Sequence, residues 1–341
     1  MLKAGIIGCG RIVEEGHAEA FLKLKDRVQV VAIADPAPKR LEKIGTLLGV
    51  PEGNRYTDYK DLVTSQTLDF IDLAVPHFVH KEAAVFCANH GQNLLMEKPL
   101  ATDMAEAQAI ADAVAKNRIH FCLLHNYLYM GNYAAALKTI EEGKIGKPFL
   151  SRCDVIMSNF WPGAQDADPT WRTQMAKSGG GALIDNGYHF IYLLEALMQS
   201  PIKRVYAKVG TFFHDINVDD TAVVLYEHEN GGVSDLKVGW SAVSSRFEQE
   251  IHGTKGSLLF GSILGSESSA PPLQLCTESG CTSVDMPDWG FWGFNKLFER
   301  FVDDFEAKKS PVSMAAGLRN LRIIMAGYES SRTGRPVDVG A

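Results

Sequence analysis

"KAGIIGCGRIV", residues 3–13, decides the fold. An apolar run of strand character closes on Gly8-Cys9-Gly10 and passes directly into helical spacing. Gly8 permits a tight turn and Gly10 lets the backbone approach a pyrophosphate. The helix that follows directs its N-terminal N–H groups and positive dipole end at the phosphates. Arg11 and Ile12 stand at the same turn. The third position of such a fingerprint is usually Gly or Ala; here it is Val13, which implies slightly wider packing of helix on strand.

Working outward, the runs "VQVVAIA" (28–34), "LDFIDLAV" (68–75), "QNLLME" (92–97) and "IHFCLLH" (119–125) are short, continuous and apolar, and helix-like segments separate them. Strands of this kind, buried on both faces, predict a doubly wound parallel sheet. The second strand ends in Asp35, 25 residues after Gly10, where a carboxylate accepts hydrogen bonds from the adenosine ribose of NAD and repels a 2'-phosphate. NAD is therefore favoured over NADP. Lys39 and Arg40 just beyond keep NADP open as an alternative.

After about residue 145 the pattern changes to longer strands with polar alternation: "KPFLSRCDVIM", "IKRVYAKVGTFF", "DTAVVLYEHENGGVSDLKVGWS", "RFEQEIHGTKGSLLF" and "PLQLCT". "ENGG" at 229–232 is a hairpin turn signal. A mostly antiparallel sheet is expected, with a helix from Gly181 packed on it and two helices near 291–308 and 312–330 closing the chain. An α/β architecture of two domains follows: a Rossmann domain over 1–125, and over 126–341 an α/β domain with a large, mostly antiparallel open sheet. A length of 341 residues suits two cores rather than one.

A formal charge of -7 supplies no basic footprint for nucleic acid. No apolar run approaches the roughly 18 residues of a membrane span, and the N-terminus has no secretory pattern. The six cysteines lack CxxC spacing and read as reduced packing residues of a cytoplasmic protein, with no metal site.

Six segments in order, "GIIGCGRI" (5–12), "VPHFVH" (75–80), "EKPLA" (97–101), "GKIGKP" (143–148), "GGGALIDNGYH" (179–189) and "HGTKGSL" (252–258), resemble the Gfo/Idh/MocA oxidoreductases over nearly the whole chain. The resemblance implies a catalytic set of Lys98, Asp185 and His189. It also places Pro76, His80 and Glu97 beside the cofactor, and Asn126 and Tyr127 beside the substrate. His77 stands where Asn is common, and Leu128 where Arg is frequent.

The residue types suit the chemistry. Asp185 and His189 are four apart, on one helical face flanked by Tyr188 and Tyr192. The preceding glycines are expected to give a ligand access to the helix start. Lys98 follows a strand at the carboxyl edge of the parallel sheet, where an ammonium stabilises developing alkoxide character. Neutral His189 is suited to taking the hydroxyl proton, while Asp185 positions substrate or stabilises the imidazolium. Trp161, Trp171 and Arg172 are expected to be pocket or lid residues. The expected activity is hydride transfer between NAD and a secondary hydroxyl of a sugar, inositol or related polyol. Two rivals are glycoside cleavage through transient oxidation and a non-catalytic dinucleotide sensor. A broad sheet with helices on one face implies a homodimer or homotetramer.

Overall fold

The computed structural model describes residues 1–261, 273–289, 291–305, 307 and 309–340. The first sheet holds β1 (Leu2–Ile7), β2 (Val28–Ala34), β3 (Arg55–Tyr56), β4 (Phe70–Leu73), β5 (Leu94–Met96) and β6 (Phe121–Leu123). All are parallel, in the order β3-β2-β1-β4-β5-β6. The order reverses between β1 and β4, and the crevice at that switch is where doubly wound sheets take their ligands. The strands are apolar throughout because α1 (Ala18–Lys23), α2 (Pro38–Leu48), α3 (Tyr59–Ser65), α4 (His77–Asn89) and α5 (Met104–Asn117) cover the sheet. Asp58 and Asp103 start α3 and α5 by accepting from the N–H groups of Lys60 and Glu106, as N-caps do.

The helix α6 (Gly131–Glu141) leads into the second sheet. Its strands are β7 (Pro148–Ile156), β8 (Ile202–Gly210), β9 (Thr221–His228), β10 (Val233–Gly239), β11 (Arg246–Gly253), β12 (Ser257–Phe260), β13 (Leu273–Thr277), β14 (Gly280–Ser283) and β15 (Val337–Asp338). Their order is β14-β13-β12-β11-β7-β10-β9-β8-β15, antiparallel except where β10 runs parallel to β7. Between β7 and β8 lie α7 (Met175–Ser178) and α8 (Tyr188–Leu197).

Burial alternates along the strands, as in β9, where Ala222, Val224 and Tyr226 are buried and Val223 and Leu225 exposed. Helices cover the buried face. The opposite face keeps Phe149, Tyr206, Val223 and Leu225 exposed.

The chain closes with α9 (Phe294–Phe305) and α10 (Met314–Thr333). Positions 306 and 308, at the end of the first expected helix, lie outside the described residues, as does Pro272 of the quoted segments. Although α9 is late in sequence, it packs on the first sheet. Phe301 meets Phe70 with ring centroids 5.0 Å apart, and Phe298 meets Phe21 at 5.1 Å. Its buried residues Phe294, Leu297, Phe298, Phe301 and Val302 recur at three- and four-residue spacing, one apolar stripe.

The cysteine expectation fails at one place. Cys276 and Cys281 face each other across the β13–β14 hairpin and form a disulfide, whereas Cys9, Cys87, Cys122 and Cys153 are buried free thiols. The pairing depends on β14, a four-residue strand whose short run carries no pattern, and without that strand nothing brings the two thiols together.

Candidate active site

A cavity of about 790 Å³ opens at the carboxyl ends of β1 and β4, walled by both halves of the chain. On one side is the glycine turn. Gly8 adopts φ +93°, and a Cβ there would come 2.4 Å from the Ala74 carbonyl oxygen, so the turn after β1 lies this close to the end of β4 only because the side chain is missing. A Cβ on Gly10 would meet nothing within 4 Å; the turn is open towards the cavity.

Asp35 fastens this turn to the end of β2. Its carboxylate accepts from Cys9 N–H at 2.7 Å and from Ala37 N–H at 2.8 Å. Burial raises its pKa, and those two donors oppose the rise. Arg11, Ile12, Pro76, Glu97 and Lys98 line the same wall. The open turn, the helical N–H groups after it and the carboxylate after β2 fit a dinucleotide.

Two residues expected at the cofactor do not line the cavity. Arg40 is buried and spent on the protein itself: it donates to the carbonyls of Cys9 (2.7 Å) and Gly10 (3.1 Å) and pairs with Glu14 at 2.8 Å. It braces the glycine turn from behind and is not placed to receive a 2'-phosphate. His80 is fully buried, with its ring nitrogens 2.8 Å from the Pro99 carbonyl and 3.0 Å from that of Val75. It joins the turn after β4 to the Lys98-Pro99 segment, whose peptide bond is cis.

The opposite wall carries Asn126, Tyr127, Trp161, Trp171, Arg172, Asp185 and His189. Lys98 reaches across from the end of β5, and its Nζ donates to Asp185 Oδ1 at 2.9 Å and to the Asp185 carbonyl at 3.0 Å. Arg172 Nε donates to the other carboxylate oxygen at 3.0 Å. Burial would raise the Asp185 pKa, but the charges of Lys98 and Arg172 outweigh it and hold the group well below the usual carboxylate range. Both oxygens are therefore engaged by cations, and no hydrogen bond joins Asp185 to His189 among the described residues. The expected contact between Asp185 and the imidazolium is replaced by orientation of Lys98 and Arg172.

His189 Nδ1 lies 2.9 Å from the Tyr192 hydroxyl, which also accepts from Tyr127 N–H at 3.1 Å. The Tyr127 ring stacks on the imidazole at 4.0 Å. Burial, then the Lys98 charge, lowers the His189 pKa well below its ordinary value. The ring is thus neutral, fixed in orientation, and left with Nε2 for a ligand. Tyr188, expected beside the substrate, is fully buried and turned away; its hydroxyl lies 3.4 Å from His125 Nε2.

The helix start is reached through a π turn, Leu183–Gly187, a distortion common at functional sites. Asp219 anchors it, accepting from Gly181 N–H (2.6 Å), Leu183 N–H (2.8 Å) and the Tyr328 hydroxyl (2.9 Å). A Cβ on Gly181 would lie 1.8 Å from the Asp219 carbonyl oxygen. The glycines thus admit neighbouring protein backbone, and do not open the helix start to a ligand as the sequence suggested.

Three contributors have no local signal. Trp292 lines the cavity, stacks on Tyr127 at 5.4 Å and meets Trp161 at 6.2 Å. Its carbonyl accepts from the Asn126 amide at 2.8 Å. Asp219 and His17 act through groups 36 to 80 residues away. Fully buried His17 has Nδ1 2.8 Å from Asp72 and Nε2 3.1 Å from Glu97. Carboxylates at both nitrogens require both to donate. Burial opposes the charge, yet the two acids outweigh it and raise the pKa to about 10.

Both halves of the chain match known protein families. Residues 2–124 match the family described as oxidoreductases with an NAD-binding Rossmann fold, and residues 133–259 match the GFO/IDH/MocA C-terminal domain. The chain is 24% identical over 354 residues to D-apiose dehydrogenase of Rhizobium rhizogenes, covering 100% of this chain and 98% of that protein. It is 22% identical to scyllo-inositol 2-dehydrogenase (NAD(+)) of Bacillus subtilis, covering 99% and 96%. The structure of levoglucosan dehydrogenase in complex with NADH and levoglucosan superimposes with a TM-score of 0.84 at 25% identity over 100% of both chains. Matched in both halves and in the same order, the chain belongs to the Gfo/Idh/MocA family of NAD-binding oxidoreductases.

Proposed function

We propose that this protein oxidises a secondary hydroxyl of a sugar, inositol or related polyol to the ketone, or runs the reverse reduction, with NAD as partner. NAD, when bound, supplies the hydride acceptor; Gly8, Gly10, Arg11, Ile12, Asp35, Pro76 and Glu97 would hold it. The observation that carries the reading is the 2.9 Å contact of Lys98, from the first sheet, with Asp185, from the π turn of the other half, beside His189 in one cavity.

Lys98 has two N–H groups on Asp185 and a third left for the substrate oxygen, whose negative charge grows as the C–H bond breaks. In the tautomer with a proton on Nδ1, the Tyr192 oxygen accepts from both His189 and Tyr127, and the Nε2 lone pair takes the hydroxyl proton. The aromatic faces of Tyr127 and Trp292 offer surface for the C–H face of a ring.

A panel of sugars and polyols followed by absorbance of the reduced nicotinamide, with NAD and NADP, tests the proposal. His189→Ala should lower turnover roughly 100-fold or more, as for loss of a general base, while NADH binding persists. Unchanged turnover in that variant removes His189 from the mechanism.

A further inference from the structure

The charged groups around the cavity are unevenly paired. Six carboxylates line it, and each is already engaged: Glu15 with Arg11, Asp35 with the N–H groups of Cys9 and Ala37, Asp58 with Lys60 N–H, Glu97 with His17, Asp168 with Lys177, and Asp185 with Lys98 and Arg172. His77 and His189 are held neutral, first of all by burial. At the catalytic end, two cations therefore share the single Asp185 carboxylate.

Arg172 is the cation with unused capacity. Nε is on Asp185, and the guanidinium lies 4.2 Å over the Trp171 ring, which fixes its plane. Nη1 and Nη2 make no hydrogen bond among the described residues, although the side chain is only 16% exposed and lines the cavity. A cation this far from water is stabilised by an anionic partner. A guanidinium edge with two free nitrogens matches the two oxygens of a carboxylate, whereas a sugar hydroxyl engages one of them at a time.

Resting on the dehydrogenase reading above, we propose that the preferred substrate is a sugar acid, a polyhydroxylated carboxylate whose acid group docks on Arg172. Lys98 and Arg172 hold opposite oxygens of one aspartate, so the acid site adjoins the hydroxyl being oxidised. The overall change is R₂CHOH + NAD⁺ → R₂C=O + NADH + H⁺, with the hydroxyl proton going to His189 and the carboxylate unchanged.

The test pairs aldonates and uronates with the aldoses and polyols of matching configuration, D-gluconate and D-glucuronate against D-glucose and myo-inositol among them. NAD reduction is followed for each, and calorimetric binding to the NADH-loaded protein supplies a readout independent of turnover. The best acid should exceed its neutral partner in kcat/KM by roughly 100-fold, the worth of a two-pronged charge-assisted contact. Binding of the acid should weaken with added salt.

In Arg172→Gln that ratio should fall below about ten, and Arg172→Lys should lie between, keeping the charge without the fork. Taking the ratio cancels any loss common to both substrates through Asp185, and the parent comparison requires no variant to fold. Preference of the parent for neutral substrates, or an acid preference that survives Arg172→Gln, overturns the acid site and leaves the dehydrogenase standing. No hydride transfer from either class overturns both.

Discussion

His17 is a buried cation whose two partners belong to different strands, Asp72 on β4 and Glu97 just after β5. Glu97 also accepts from Lys98 N–H at 3.0 Å, so the imidazolium supports the segment that carries the reactive amine. Removing one member of such a buried set costs about 3–5 kcal/mol. Because its folded pKa lies above the ordinary value of about 6.5, the stabilisation is complete below that pH and is lost as pH climbs toward about 10. The melting-temperature gap between parent and His17→Gln should therefore be widest near about pH 6 and shrink on the alkaline side. A gap that does not change with pH contradicts an imidazolium.

His189 presents the opposite case, since burial and Lys98 lower its pKa. As a base it must be unprotonated, so kcat/KM for oxidation should stay level down to about pH 6.5 and fall only below it. An acidic midpoint at or above about 6.5 would show that another group takes the proton.

At the level of elements, the helix bearing Asp185 and His189 is aimed from its start. Gly181→Ala forces a methyl into the Asp219 carbonyl, where no flexible side chain can yield, and should lower stability and turnover together. Asp219→Ala leaves two buried N–H groups unmet, at about 1–3 kcal/mol each. Thermal unfolding and kcat measured side by side would show the coupling; full turnover in Gly181→Ala would mean that the π turn does not need this anchor.

This anchor marks the limit of what the sequence makes legible. The long strands announce themselves through apolar runs, and Lys98, Asp185 and His189 stand in recognisable segments. Which groups the glycines face, where Tyr188 points and what binds Arg40 depend on packing between distant segments, and local spacing does not encode that packing. Short β3, β14 and β15 escape for the same reason: two to four residues carry little pattern, and their neighbours supply the pairing. The parallel contact of β10 with β7 is likewise invisible in an alternation that would look the same in either direction.

For the molecule as a whole, the open face of the nine-stranded sheet remains to be accounted for. Phe149, Tyr206, Val223 and Leu225 are exposed there among paired charges of both signs, including Arg152 with Glu250 and Lys237 with Asp154. An exposed apolar patch set among charges of both signs suits a second copy of the chain about a two-fold axis. We propose a dimer through this face. Sedimentation should give at least twice the mass of one chain, and Leu225→Lys should reduce it; a parent that sediments as one chain overturns the proposal.

The position of α9 has a consequence for biosynthesis. The first sheet is translated early, yet Phe21, Phe70 and His17 receive their aromatic cover from residues 294–305. During synthesis the nascent first half must leave the ribosome with that flank bare for well over a hundred residues of further translation, an interval in which chaperones have an apolar surface to hold.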